Sequence, residues 1–377
     1  MDGSAKPRKI IHKKIVVDKV LNTNVHVDGG WFWTKYSANP YLGCEYGCAY
    51  CFLRENLYGL NVKNRETSSL VDPFSQFIRV KINAEDILSR ELPKIPKDVI
   101  VTGDYQPAER IFRISRKLLN VCLKNRFPTL VITKSPLVLL DADVILKIAK
   151  SSWACVVFSI TSPKSSKYVD CCEPYAPSTA SRFAAMKRLS AMGVNTGTAL
   201  MPILPFITDS DENLESIVSL TKENGGRFVL AGGLVLGSGQ SEHLYKSLAK
   251  YDQKLPERYR VLYGHGFSPK DATWAVLGTK VKKLCQKYGL GYRVRRFIPD
   301  SPLAINKKIS EYLFLRVYDM ELDQAPKHKI KQFRKLAWLV DEAVSPITEM
   351  LSKNEQIPGD PGSVILKQAL AECSKSQ

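Results

Sequence analysis

Asn39-Pro-Tyr-Leu-Gly-Cys44-Glu-Tyr-Gly-Cys48-Ala-Tyr-Cys51-Phe-Leu-Arg54 is the stretch that decides how this chain is read. Three cysteines fall within eight residues, separated by three residues and then by two. Gly43 and Gly47 permit the backbone turns that let a short loop wrap three sulfurs around one inorganic centre. Soft thiolates select iron–sulfur clusters, zinc or copper(I). The ligand count narrows the choice. A structural zinc site closes with four ligands, and most four-iron clusters take four cysteines; the next cysteine here is Cys122. Three thiolates leave one iron of a [4Fe–4S] cluster open to a non-protein ligand, and an open metal position marks catalysis. Two plainer readings stand beside this one: a zinc knuckle completed by a distant His or Cys, and three ordinary thiols.

Outward from the cysteines, short apolar runs alternate with amphipathic segments. Strands are expected near 36–42, at 99–102, 130–133, 154–160, 195–201 and 227–231, with a closing strand at 292–296. Helices are expected at 109–125, 141–150 (Asp141 as N-cap), 178–192, 211–224 and 270–288, with Gly193 and Gly225 as stops. Such alternation implies βαβ units and a parallel sheet. About six repeats fall short of the eight of a closed barrel. The expected fold is therefore α/β: a partial, open barrel, with a doubly wound open sheet as the alternative. Residues 1–30 read as a basic N-terminal arm with strand pieces, 31–300 as the catalytic domain, and 301–377 as a C-terminal helical extension with helices at 307–318, 328–351 and 363–372.

The chain has 377 residues and a formal net charge of +18. That excess favours a polyanion nearby, nucleic acid first, although a solvated basic surface explains it equally. Nine scattered cysteines do not make a disulfide scaffold, and an odd count with one tight cluster points to a reducing compartment and a metal site. No apolar run is long enough to cross a bilayer, and residues 1–14 lack a secretory pattern. The expected location is the cytoplasm, with no membrane partner.

At the three cysteines the chain resembles the radical S-adenosylmethionine (SAM) superfamily, whose motif is C-x3-C-x2-C. More narrowly it resembles the spore photoproduct lyase-like (DNA repair photolyase-related) branch. Four further segments carry that likeness: Thr102-Gly-Asp-Tyr-Gln-Pro-Ala-Glu109-Arg, Ile132-Thr-Lys134-Ser135, Phe158-Ser159-Ile-Thr161, and Glu173-Pro…Arg182 running on to Ala199-Leu-Met-Pro202-Ile-Leu-Pro205. The resemblance spans about residues 35 to 235 and implies a partial (β/α)6 barrel of the radical SAM type. It also implies a [4Fe–4S] cluster on Cys44, Cys48 and Cys51, SAM on the open iron, reductive cleavage to a 5′-deoxyadenosyl radical, and an external one-electron donor such as a ferredoxin or flavodoxin. By the same resemblance Phe52 flanks SAM, where the family often has Tyr. Thr102 and Asp104 approach the cofactor, Lys134 meets its carboxylate or ribose, and Ser159 contacts its ribose or methionine part.

The residues themselves leave alternatives open. Lys134 after an apolar strand needs an anionic partner unless it emerges into solvent. Asp104 and Glu109 can cap the following helix, and Glu173 with Arg182 can form a structural ion pair. Spore photoproduct lyase itself carries a hydrogen-returning cysteine between the cluster motif and the second strand. Residues 52–103 here contain no Cys, so repair of the spore thymine dimer is not expected. Cys155, Cys172 and Tyr105 are the candidate hydrogen donors, Cys171-Cys172 being an adjacent pair; Cys122 reads as core.

Aromatic and basic residues interleave at Trp31-Phe-Trp33-Thr-Lys35-Tyr36 and Tyr292-Arg-Val-Arg-Arg296-Phe297, as they do where bases stack and phosphates bind; core aromatics beside a snorkelling basic face look the same. Nucleic acid is thus the first expected substrate. The alternatives are a protein side chain or small metabolite, or a non-catalytic metal or Fe–S nucleic-acid-binding module.

Overall fold

The computed structural model describes residues 8–29, 31–54, 66–164, 166–269, 272–353, 357, 360 and 363–375. Among them ten strands form two sheets: β1 (Ile11–Ile15), β2 (Leu21–Thr23), β3 (Tyr36–Ala38), β4 (Tyr41–Leu42), β5 (Phe77–Lys81), β6 (Ile100–Thr102), β7 (Thr129–Thr133), β8 (Ala154–Ser159), β9 (Asn195–Ile203) and β10 (Val229–Gly233). The larger sheet runs in the order β10-β9-β8-β7-β6-β3-β2, and the smaller in the order β1-β5-β4. From β3 to β10 every neighbouring pair in the larger sheet is parallel, and β2 closes one edge antiparallel to β3.

The six parallel strands therefore lie side by side in chain order. A doubly wound sheet reverses its order at a switch point, and this sheet does not. Right-handed crossovers between successive neighbours place the main connecting helices on one face. The molecule is mixed α/β with a parallel sheet, and the sheet is not closed.

Among the described residues, fifteen α-helices lie between and after the strands: α1 (Pro73–Gln76), α2 (Ala84–Glu91), α3 (Glu109–Phe112), α4 (Ile114–Lys124), α5 (Ala142–Ser151), α6 (Lys167–Cys172), α7 (Thr179–Ala191), α8 (Asp211–Glu223), α9 (Ser238–Tyr251), α10 (Leu255–Tyr263), α11 (Thr273–Lys287), α12 (Ala304–Leu322), α13 (Lys327–Glu342), α14 (Ile347–Ser352) and α15 (Val364–Lys375).

Strand alternation divides the core. Along β8, Ala154, Val156 and Phe158 join a cluster with Leu118 and Leu119 of α4, Ile145 and Ile148 of α5 and Met186 and Leu189 of α7. Cys155 and Val157 face the other way. With Leu130 and Leu230 they pack against Ile309, Leu313, Phe314, Leu336 and Val340 of α12 and α13. The C-terminal helices thus cover the second face of the sheet.

Several expected elements are corrected. The helix at 109–125 is two helices, because Arg113 takes a left-handed φ of 53°. Glu109 is the reason: its carboxylate accepts from the Ser115 amide at 2.8 Å and caps α4. The single strand at 36–42 is two strands in different sheets, divided at Pro40, which lacks a ladder donor and whose carbonyl instead accepts from Lys81 of β5 at 3.1 Å. No closing strand forms at 292–296; only Gly291 bridges to Phe228, because the Arg296 side chain turns inward. The helix at 328–351 breaks before Pro346. The irregular stretch after β10 contributes α9 and α10. Asp141 stands at the start of α5, but its carboxylate is taken by Tyr105 at 2.9 Å and Arg113 at 2.7 Å. Ile11–Ile15 and Leu21–Thr23, within the first thirty residues, are paired into both sheets.

One buried ion cluster joins the C-terminal helices to the start of β6. Arg296 grips Asp98 at 2.6 and 2.7 Å and Asp341 of α13 at 3.1 and 3.0 Å. Lys307 of α12 adds contacts to Asp98 at 3.3 Å and Asp341 at 2.9 Å. Burial pushes the Asp98 carboxyl up, but the hydrogen bonds and charge of Arg296 outweigh it and hold the group below its ordinary value. Removing one partner of such a buried set costs about 3–5 kcal/mol. Arg296→Met is therefore expected to lower unfolding stability by about that amount, read as the urea midpoint at constant m-value. An unchanged midpoint would show that the cluster does not fasten the helices.

Candidate metal centre and its surroundings

The cysteine loop leaves β4 through Gly43, which has a φ of 91°. A Cβ there would stand 2.8 Å from the Phe74 carbonyl oxygen and 3.0 Å from that of Phe77, so only glycine fits. Gly47, at φ 58°, makes the second turn. The Cys44 amide donates to the Phe74 carbonyl at 3.1 Å, Gly47 to Cys44 at 3.1 Å and Cys51 to Cys48 at 3.3 Å. A buried loop must satisfy its remaining peptide groups from elsewhere, and side chains do so. Arg54 is fully buried; it donates to the Cys48 and Gly47 carbonyls at 2.8 and 3.0 Å and pairs with both oxygens of Asp72 at 2.8 Å. Gln106 accepts from the Glu45 amide at 2.9 Å and donates to the Gly43 carbonyl at 3.2 Å. Gln240 of α9 donates to the Tyr50 carbonyl.

Behind the loop lies a second layer. The Tyr46 hydroxyl donates to Ser135 at 2.6 Å. Tyr50 donates to Glu173, which also accepts from Thr161 at 2.8 Å and pairs with Arg182. Glu173 and Arg182 are both buried, so they are a structural ion pair that reaches the loop through Tyr50. Burial pushes the Glu173 carboxyl up, but Lys134 first and then Arg182 overcome it and draw it down to about 2.

All three thiols are free. Cys48 is buried, and Cys44 and Cys51 are half-buried. Burial pushes each thiol up, Cys48 to about 11, and Cys44 is raised further by its neighbours Cys48 and Cys51. The three sulfurs thus share one electrostatic environment. Among the described residues, no group of three or more His, Cys, Asp or Glu side chains is arranged to hold a metal ion. Three soft thiolates on one glycine-turned, clamped loop are nonetheless a donor set that suits an iron–sulfur cluster.

Of the residues expected near a cofactor, the structure brings two to the thiols. Lys134 is half-buried, its ammonium 5.3 Å from the Tyr50 ring centre, and its charge is felt at Cys48 and Cys51. Asp104 is felt at Cys44 and Cys51; burial raises its carboxyl to about 6 against the opposing charge of Lys81. Thr102 donates its hydroxyl to the Ala38 carbonyl of the next strand at 2.8 Å. Ser159 ends β8, and its carbonyl accepts from Arg182 at 2.9 Å. Phe52 is exposed.

The candidate hydrogen donors separate as well. Cys172 packs in one cluster with Cys48 and Tyr50, and its carbonyl accepts from Ala49 at 2.8 Å. Cys155 lies under the C-terminal helices, and Tyr105 faces the helical side with its hydroxyl on Asp141. Cys122 is buried in the core of the helical face.

Sequence reading missed Arg54, Gln106, Gln240 and Lys81. A faint signal existed for the first two: Arg54 closes the cysteine segment, and Gln106 lies in the segment after β6. Lys81, buried at the end of an apolar strand, had the same signature as Lys134. Gln240 comes from a helix that no pattern marked.

No family model matches the chain. An uncharacterised protein of Mycobacterium tuberculosis is 26% identical over 277 residues, covering 72% of this chain and 79% of that protein. One of Methanocaldococcus jannaschii is 26% identical over 229 residues, covering 60% and 79%. Among solved structures, the chain resembles a spore photoproduct lyase variant with bound AdoMet and dinucleoside spore photoproduct at a TM-score of 0.55 and 15% identity, over 74% of this chain and 79% of that one. The same enzyme complexed with the dinucleoside photoproduct alone also matches at 0.55 and 15% identity, with the same coverage. The chain shares the fold of spore photoproduct lyase.

Because the folded Glu173 carboxyl titrates below its unfolded value of about 4.3, it contributes stability that is complete above that value and lost as pH falls toward about 2. Glu173→Gln should lower the denaturation midpoint at neutral pH. The gap to the unsubstituted protein should narrow as pH drops below about 4.3. A gap constant with pH would contradict this account.

Proposed function

We propose that this chain is a radical SAM enzyme whose Cys44, Cys48 and Cys51 hold one [4Fe–4S] cluster and leave one iron to S-adenosylmethionine. The observation that carries the reading is the loop itself: three free thiols held together by glycine turns and by Arg54, Gln106 and Gln240, in a fold shared with an enzyme that binds AdoMet. On this reading the six sequential parallel strands are the partial (β/α)6 barrel of the radical SAM type, with residues 301–377 as its helical extension.

When bound, such a cluster with its cofactor supplies one-electron cleavage of a carbon–sulfur bond, giving methionine and a 5′-deoxyadenosyl radical. The protein's own part is to position and to shield. Lys134 offers a cation to the cofactor's carboxylate or ribose oxygens, held in place by Glu173 and the Tyr50 ring. Asp104, whose charge is felt at Cys44 and Cys51 and is opposed by that of Lys81, supplies a second polar group beside the thiols. Tyr259 and Tyr263 of α10 and Leu244 and Leu248 of α9 pack in the cluster that contains Cys48, and they keep water from the loop. Phe52, Thr102 and Ser159 belong to the outer part of the cofactor site. Cys172, sharing the loop's cluster, is the hydrogen donor this reading prefers.

The proposed substrate is nucleic acid. The net charge of +18 supplies a field for a polyanion, and the structures sharing the fold hold a dinucleoside. The electron comes from an external donor of the ferredoxin or flavodoxin kind, in the cytoplasm.

Anaerobic reconstitution with iron and sulfide, then dithionite and SAM, should yield 5′-deoxyadenosine. Cys48→Ala should lower that yield about a hundredfold or more, and Lys134→Ala should raise the KM for SAM about tenfold with a smaller change in kcat. A purified protein carrying tightly bound zinc, or iron that does not respond to SAM, would sink the proposal. Single-stranded DNA or RNA should bind with an affinity that falls steeply as salt rises; salt-independent binding, or none, would shift the substrate to a protein or small metabolite.

A further inference from the structure

A cavity of about 320 Å³ opens between the segment preceding β3 and helices α12 and α13. Its lining includes no residue of the cysteine loop. Its walls carry Trp31, Tyr318 and Trp338, with Arg293, Glu321 and Asp28 among them. The aromatic walls are braced. Trp338 donates to the Val27 carbonyl at 3.0 Å and stacks on His26 at 4.5 Å. Asp28 is consumed in local structure, accepting from the amides of Phe32, Trp33 and Thr34 at 2.8–3.4 Å. Glu321 gives Oε1 to Arg334.

Arg293 is the exception. It is 6% exposed, with its guanidinium carbon 3.3 Å from the Tyr318 ring centre and 4.6 Å from that of Trp31. Nη1 donates to the Tyr292 carbonyl at 3.1 Å, but Nη2 is buried without a hydrogen-bond partner. A buried donor left unpaired is costly; burial pulls the guanidinium below its ordinary value, against the opposing pull of the neighbouring Tyr318 hydroxyl. The missing partner is an acceptor, and Arg293 is one of the residues that line the cavity.

The shape and charge of the cavity say which acceptor. Aromatic walls favour a flat unsaturated ring. Arg293 and Arg334 balance Asp28 and Glu321 on the lining, so no net positive charge favours a phosphate in the cavity. A neutral ring with acceptors on one edge, for Arg293, and donors on another, for Glu321, meets both demands. Guanine has this pattern: O6 and N7 are the preferred acceptors of arginine, and its N2 amino group donates.

We propose that this cavity binds an unstacked guanine base, from a free nucleoside or from a single strand held on the basic surface. The site goes beyond the radical chemistry and does not depend on it, because its test reads binding rather than turnover.

Equilibrium dialysis of the full chain against guanosine, adenosine, cytidine and uridine at physiological ionic strength tests it without a phosphate to bind elsewhere. Guanosine should bind saturably and at least about fivefold more tightly than the others, and Arg293→Met should weaken it about tenfold. Should that variant fail to fold, Glu321→Gln, half-exposed, decides by removing the preference for guanosine over adenosine. Short oligonucleotides with and without guanine identify the source: tighter binding of the guanine-containing strand assigns the site to a strand, and equal or weaker binding than guanosine assigns it to the free nucleoside. Absence of saturable guanosine binding, equal binding of all four nucleosides, or a preference that survives Glu321→Gln would overturn the proposal.

Discussion

Packing three thiols into one short, largely buried loop removes water from that loop's peptide groups, and each of those groups must then find a partner inside the protein. Much of the architecture around the cysteines answers this constraint. Arg54 turns back on the Gly47 and Cys48 carbonyls, Gln106 reaches from the segment after β6, and Gln240 comes from α9. None of these side chains is itself a ligand type for iron, yet each fixes where a sulfur lies. The left-handed turn at Gly43, pressed against two carbonyl oxygens of the α1–β5 segment, does the same from the backbone. The loop's shape is therefore a property of four chain segments together.

Chain-ordered parallel strands make this convergence possible. The parallel strands β6, β7 and β8 of the larger sheet all end on the same side, so Gln106, Lys134, Ser135, Ser159 and Thr161 arrive near the loop although they are far apart in sequence. The Glu173–Arg182 pair links three of those arrivals. Arg182 holds the Ser159 carbonyl, Glu173 accepts from Thr161 and from Tyr50 of the loop, and Lys134 adds its charge. The opposite face of the sheet is covered by the C-terminal helices, which Arg296, Asp98, Asp341 and Lys307 tie to the start of β6. Cys155 is sealed beneath those helices, and that is why it and Cys172 have such different surroundings.

Much of the fold was legible because it rests on local periodicity. The strands beginning at residues 100, 129, 154 and 195 and the helices at 142–151, 179–191 and 211–223 lie where apolar spacing and the glycines at 193 and 225 place them. Failures came where a distant group overrode the local pattern. The helix after β6 broke because Glu109 turned its carboxylate forward to Ser115 rather than to solvent. The run at 292–296 has strand composition, but Arg296 is spent on Asp98 and Asp341 and Arg293 lies over two aromatic rings. At Thr102 the local pattern showed a strand end, and only the fold shows that its hydroxyl donates to the neighbouring strand.

By itself the sequence determined the thiol-bearing, glycine-turned loop and the architecture class. Thiol spacing, glycine placement and strand–helix alternation are each written within a few consecutive residues, so no partner from elsewhere is needed to read them. Only the tertiary structure decided which side chains share a space with the thiols: Lys134, Asp104 and Cys172 do, whereas Cys155 and Tyr105 do not. It also decided that Trp31 and Arg293, 262 positions apart in the chain, line one cavity. The physical reason is that burial, charge coupling and unsatisfied donors are properties of distances through space, and these are set by how six strands line up and which helices close over them.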